Sequence, residues 1–165
     1  MKIIPALLVI IATSMVFAEK SEYDFELYQL DDSLYVSQKA RKKSKFLVVD
    51  FFSVFCEPCK KAIPELNRLY KKYREKGLEV VVVALPAMED REAEAVKLVN
   101  YFKKYSLPVV FDKYKLTGKS YGVVSGDGNA ELPYLFVFDK EGKKIVEEKE
   151  NENKVKSFIK KQFKQ

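Results

Sequence analysis

Two apolar runs separated by one amphipathic stretch constrain the fold of this 165-residue chain more than any other feature. Phe46-Leu47-Val48-Val49 opens a strand too continuously apolar to have a wet face, and Leu78 to Leu85 (LEVVVVAL) is a second. Strands of this kind sit centrally in a sheet covered on both sides. Between them, Ala62, Ile63, Leu66, Leu69, Tyr70 and Tyr73 recur on one side of a helical repeat, with Lys60, Lys61, Glu65, Arg68, Lys71 and Lys72 largely on the other. That is an amphipathic helix packed on the sheet. A strand, a crossover helix and a strand in this order make a right-handed βαβ unit. Pro58 suits the first turn of the helix, Pro64 falls in its interior and should kink it, and Gly77 stops it.

The flanking segments fill in the topology. Phe25 to Leu30 and Leu34 to Val36, around Asp31-Asp32-Ser33, read as a short N-terminal hairpin, followed by an irregular or briefly helical Ser37–Lys43. Asp90–Tyr105 has helical spacing at Ala95, Val96, Leu98, Val99 and Phe102, and Pro108–Phe111 is a short strand. Lys113–Gly122 forms a helical turn carrying Leu116, Tyr121 and Val123 inward, ahead of a flexible Ser125–Asn129 loop. Leu132–Phe138 is a strand, Asp139–Gly142 reverses it, and Lys143–Glu148 returns beside it. Asn151–Phe163 closes the chain as a helix with Val155, Phe158, Ile159 and Phe163 on one face. After the hairpin the order is βαβαβ and then ββα. The class is α/β, with a central mixed β-sheet flanked by helices. The full chain is 47% hydrophobic, and residues 19–165 suit a single domain with one sizeable core.

Residues 1–18 have the form of a secretory signal: Met1-Lys2, an apolar stretch from Ile3, and a small residue at Ala18, after which cleavage fits. The alternative is an uncleaved membrane anchor, but Ile3–Ala18 is short of the roughly 20 residues a span needs, and Pro5 and Thr13-Ser14 interrupt it. The expected location is therefore periplasmic or otherwise extracytoplasmic, with membrane anchoring as the alternative. The full chain carries a net charge of +6; removing Lys2 leaves 29 basic and 24 acidic residues, about +5. With no repeated basic stripe and no nucleic-acid motif, nucleic acid is excluded as a partner.

The two cysteines, Cys56 and Cys59, lie where the first apolar run gives way to the helix, the junction at which a parallel sheet presents reactive groups. Exported proteins use cysteines mainly as staples between distant segments, whereas two cysteines three positions apart close too small a loop to stabilise much. A chemical role is favoured. The helix N-terminus offers unpaired N–H groups and about half a positive charge, which favour a thiolate at Cys56, the nucleophile. Cys59, one turn in, can attack a mixed disulfide on Cys56 and release the product. Structural zinc takes four Cys or His ligands, and the chain has no histidine and no third cysteine. Haem attachment requires His where Lys60 stands. Two-coordinate copper(I) on the thiolate pair remains open, as does a non-catalytic binding module. Glu57 sets a negative charge beside the thiolate and opposes the helix dipole, which tilts the pair toward a reductase.

Asp50-Phe51-Phe52-Ser53-Val54-Phe55-Cys56-Glu57-Pro58-Cys59, together with Leu132-Pro133, resembles the thioredoxin fold. Cys-Glu-Pro-Cys, the leading hairpin, the extra helix at Asp90–Tyr105 and the ending Phe-Asp-Lys-Glu-Gly-Lys are similar to its exported TlpA/ResA-like branch of thiol-disulfide oxidoreductases. The resemblance covers Tyr23 to Phe163. It implies a cis Pro133, which sets the backbone of Leu132 beside the disulfide to pair with an extended substrate, and Asp50 as the carboxylate that exchanges a proton with the inner cysteine. A carboxyl buried beneath the site should have a raised pKa, suiting a proton acceptor.

By the same resemblance the only cofactor is the redox-active Cys56–Cys59 disulfide, with no metal, and Pro58 tunes it together with Asp50 and Glu57. The partners are protein disulfides or thiols and a membrane electron donor, the protein acts as a monomer, and the process extends to cytochrome c maturation. Three departures stand out. Phe52 and Phe55 replace the tryptophans of many relatives, with Phe55 still available to a substrate; Ala62 stands where ResA-like proteins have a functional glutamate; and the Ser125–Glu131 loop is long. The Pro-x-x-x-Thr-x-x-Cys pattern of peroxiredoxins is absent.

Overall fold

The computed structural model describes residues 20–150 and 152–164, so the expected leader at 1–18 lies outside the described residues. Strand β3 (Phe46–Phe52) is the axis of a five-stranded sheet. On one side β4 (Leu78–Ala84) and then β5 (Val109–Phe111) run parallel to it, and on the other β6 (Tyr134–Asp139) and then β7 (Lys144–Lys149) follow antiparallel. This mixed sheet with helices on both faces is the arrangement expected from the sequence. The two-residue period of a strand divides its core in two.

Val48 and Phe52, with Val80, Val82, Leu135 and Val137, pack beneath α2 (Glu57–Tyr73), α3 (Arg91–Phe102) and α5 (Asn153–Phe163). Leu47, Val49 and Phe51 face the opposite way, with Val81, Val83, Phe136 and Phe138. There they meet Phe25 and Tyr35 of the hairpin β1 (Glu26–Tyr28) and β2 (Leu34–Val36), Ala40 of α1 (Ser37–Lys43), and Tyr121 after α4 (Leu116–Ser120). Phe51, Phe52, Phe136 and Phe138 are fully buried, each contributing about 1.5–3 kcal/mol relative to exposure.

The hairpin also closes the sheet's β5 edge, where Gln29 bridges Val110 and the Leu30 N–H donates to the Val109 carbonyl at 3.2 Å. The β7 edge carries Lys144, Glu147 and Lys149, charges that oppose pairing with another strand. Helix α2 runs unbroken through Pro64, and a 3-10 turn at Arg74–Lys76 intervenes before Gly77, whose φ of +99° ends it in the left-handed conformation.

The structure corrects two inward faces. In α3, Leu98 and Phe102 are buried, but Val96 is 60% and Val99 44% exposed, and the buried side chain one turn before Leu98 is Glu94. The reason is that the Glu94 carboxylate accepts N–H bonds from Ala87 at 2.9 Å and Met88 at 2.8 Å, which rotates that turn toward the loop after β4. In α4, Leu116 is 66% exposed, while Tyr121 and Val123 are buried as expected. The Asp112 carboxylate accepts from the Leu116 and Gly118 N–H groups and fixes the turn with Thr117 and Gly118 inward. Strand β6 begins at Tyr134, two residues later than expected, and α5 begins at Asn153.

Candidate active site

Strand β3 ends at Phe52, and a tight turn carries the chain into α2. The Ser53 hydroxyl accepts from the Phe55 N–H, and the Ser53 carbonyl accepts from the Cys56 N–H at 3.0 Å. Cys56 is the N-cap of α2, its Sγ accepting the Cys59 N–H at 3.2 Å, with Pro58 in the first turn where its missing N–H costs nothing. Cys56 and Cys59 form a disulfide; Cys56 is partly exposed and Cys59 fully buried. An attacking partner can reach only the first sulfur.

Beneath the helix, Asp50 projects from the same face of β3 as Val48 and Phe52, both of which pack in the cluster that holds Cys59. It lies between Val82 of β4 and Leu135 of β6, is 0% exposed, and neither carboxylate oxygen has a hydrogen-bond partner. Burial pushes its pKa well above the usual carboxylate value, and the charge of Glu152 adds to the shift. An unpaired carboxyl in a core is costly, which makes it a candidate for proton chemistry rather than packing.

A groove of about 630 Å³ opens over the disulfide. Phe55, Cys56, Glu57, Pro58 and Leu132 line it, so the fold brings five of the eight expected site residues together there. Asp50 and Cys59 lie behind it, and Pro133 is buried at the start of β6, joined to Leu132 by a cis peptide bond. Phe55 is 52% exposed, with the Lys97 ammonium 5.1 Å from its ring centre. Glu57 is exposed and its carboxylate binds Lys60 Nζ at 2.7 Å, which holds its pKa below the usual value. Glu57 is thus ionised, but Lys60 offsets part of its field at Cys56.

Sequence reasoning missed several participants. Leu85, Pro86 and Ala87 form one wall of the groove, and the Glu94 clamp on Ala87 and Met88 holds that wall. Lys115, in the left-handed conformation at φ +58°, adds a cation to the groove lining and donates to the Gly128 carbonyl at 3.0 Å. Neither carries a local pattern that marks it. Tyr101 reaches the first turn of α2, its hydroxyl donating to the Lys60 carbonyl at 3.1 Å. Pro64, four residues after Lys60, was the signal that this carbonyl lacks its usual helical donor.

The chain is 35% identical over 123 residues to the thiol-disulfide oxidoreductase ResA of Bacillus thuringiensis, an alignment that takes in 72% of this chain and 64% of that protein. It thus spans just under two thirds of that relative's length. Among solved structures it resembles a thioredoxin-family thiol:disulfide interchange protein of Chlorobium tepidum, with a TM-score of 0.65, 22% identity, and coverage of 84% of this chain and 92% of the other. A secreted disulfide oxidoreductase of Mycobacterium tuberculosis gives a TM-score of 0.65 at 14% identity, covering 84% and 96%. Both likenesses carry the fold alone. The AhpC/TSA family model matches residues 19–147, from before the hairpin to within β7, and with this coverage the chain belongs to the AhpC/TSA family and takes its thioredoxin-like fold.

Proposed function

We propose that this protein is a thiol-disulfide oxidoreductase that reduces disulfides in other proteins. The observation that carries the reading is a disulfide with one accessible sulfur, Cys56, at a helix N-terminus above a fully buried, unpaired carboxyl. In the reduced protein, the Cys56 thiolate attacks one sulfur of a substrate disulfide, a Cys56–substrate mixed disulfide forms, and the other substrate sulfur leaves as a thiolate. Asp50, in its ionised form, takes the proton of Cys59, whose thiolate attacks Cys56 Sγ. The Cys56–Cys59 bond closes and the second substrate thiolate is released. Two electrons pass to the substrate.

Leu132 and Pro133 form the rest on which an extended substrate lies across the groove, with Phe55 at its rim. The redox-active disulfide is the only cofactor, and the protein acts as a monomer, with a membrane electron donor returning it to the reduced state. The direction rests on Glu57, ionised one residue from Cys56, whose negative charge opposes the thiolate while Lys60 offsets part of it. Export is supported by the form of residues 1–18. Cytochrome c maturation is the process in which we place it, with Ala62 in the position of the ResA-like glutamate as the feature to test.

Insulin reduction is the assay. Cys56→Ser should lower the rate to background, and Cys59→Ser should accumulate a mixed disulfide that identifies the client. Undiminished reduction by Cys56→Ser would overturn the assignment. A reduction potential near the strong-oxidant end, roughly −120 mV, would overturn the reductase direction.

A further inference from the structure

Proline inside a helix removes the N–H that would bind the carbonyl four residues earlier. Pro64 lies in the second turn of α2, so the carbonyl deprived is that of Lys60, the residue directly after Cys59. The Tyr101 hydroxyl, from α3, donates to this carbonyl at 3.1 Å. Its ring is held against the end of β3, stacked on Phe52 with centroids 5.5 Å apart, and meets Phe102 edge-on at 5.0 Å. Tyr101 therefore touches both segments that flank the cysteine turn, β3 before it and α2 after it.

The Lys60 backbone is bound on both sides. Its N–H donates to the Cys56 carbonyl at 3.1 Å, and its carbonyl accepts from Tyr101. The Cys59 N–H in the same turn donates to Cys56 Sγ at 3.2 Å. The Tyr101 bond thus anchors the turn at Lys60, and the N–H groups of this turn are those that a Cys56 thiolate depends on.

We infer that Tyr101 is a positioning residue for the reactive turn: its hydroxyl replaces the donor that Pro64 deletes and holds the first turn of α2 in the geometry that stabilises the Cys56 thiolate. The inference builds on the thiol-disulfide reading, and names a third element, α3, that governs the reactivity of the pair. Burial raises the Tyr101 pKa, so the hydroxyl keeps its proton to donate throughout the working pH range. With the hydroxyl removed, the turn loosens, the thiolate loses stabilisation, and the reduced form is disfavoured.

The test is a double-mutant cycle of Tyr101→Phe and Pro64→Ala. The first keeps the ring on Phe52 and removes only the donor, while the second restores a backbone N–H for the Lys60 carbonyl. With Pro64 in place, Tyr101→Phe should lower the folding equilibrium constant of the oxidised form about fivefold, as the loss of one hydrogen bond does. It should also shift the glutathione redox equilibrium toward the disulfide by about threefold, roughly 14 mV at about 30 mV per decade, and move the alkylation profile of Cys56 to higher pH. In the Pro64→Ala background both effects should fall below about 1.5-fold, because the carbonyl already has its donor.

Equal effects of Tyr101→Phe in both backgrounds would overturn the inference. So would a loss of stability with an unchanged redox equilibrium and alkylation profile, which is the signature of packing alone. If wild-type protein does not exchange with glutathione at all, the thiol-disulfide reading and the positioning role fall together. The stability cycle then still tells whether Tyr101 fills the gap left by Pro64.

Discussion

Replacing Asp50 by asparagine should change the slope of stability against pH, in a direction set by where this carboxyl sits. It is 0% exposed, both of its oxygens lack partners, and burial, with Glu152 adding to it, raises its pKa well above the ordinary value of 3.8. Below that ordinary value the folded and unfolded chains both hold the proton. Above it the unfolded chain releases the proton while the folded chain keeps it, so ionisation favours unfolding and stability falls as pH rises. The loss is about 1.4 kcal/mol per pH unit until the raised value is passed, or roughly 2.7 kcal/mol over two units inside that window.

The Asp50→Asn side chain cannot ionise, and whatever its amide costs in an apolar pocket, about 1–3 kcal/mol, is the same at every pH. Urea unfolding of the oxidised proteins at unit steps from about pH 5, above the ordinary carboxylate range, should therefore give a wild-type curve that falls relative to the variant curve. Taking the difference cancels the titration of groups that do not interact with Asp50, Glu79 included. Parallel curves would mean that burial does not raise the Asp50 pKa, and would remove the heightened proton affinity on which its role as acceptor for Cys59 rests.

Glu79, raised to about 7 by burial, also keeps its proton longer in the folded chain. Its contribution is present below about pH 4.5 and lost by about pH 7, so Glu79→Gln should flatten that window by roughly 1–2 kcal/mol after allowance for its partial exposure, as read by urea midpoints. Arg41 and Asp24 form a buried pair at 2.8 Å, with side chains 2% and 5% exposed, and Arg41 also donates to the Lys140 carbonyl. Arg41→Met should cost about 3 kcal/mol by leaving the carboxylate without its cation, and a cost below about 1 kcal/mol would show that Asp24 is adequately bound by the Ser21 N–H alone. A Cβ on Gly118 would lie 2.6 Å from Val124 Cγ2 and 3.1 Å from Leu85 Cδ2. Despite alanine's better helix propensity, Gly118→Ala should destabilise by about 1–2 kcal/mol in thermal unfolding, whereas a gain in stability would mean that the Val124 contact yields freely.

Much of the architecture is legible in the chain because it rests on local period. FLVV and LEVVVVAL have no polar face, and the structure sets them side by side at the centre of the sheet, with the amphipathic α2 crossing between them. The cysteine junction is legible for the same reason, being the point where the period changes from strand to helix. Where the reading failed, a polar group had taken a place that hydropathy assigned to an apolar one. Val96 and Val99 point outward because Glu94 is held by Ala87 and Met88, and Leu116 points outward because Asp112 caps the turn. Those bonds join residues whose pairing no repeat encodes.

The sequence alone carried the class of fold, the position of the reactive pair and the identity of the thiol at the helix start, since each follows from properties of neighbouring residues. It also carried the defect, Pro64, that strips a donor from the reactive turn. The groove walls at Ala87 and Lys115, the orphaned state of Asp50 and the remedy for Pro64 in Tyr101 came only with the folded chain. Each depends on which distant groups arrive within hydrogen-bond reach, and that is decided by how helices and strands pack rather than by the order in which their residues are written.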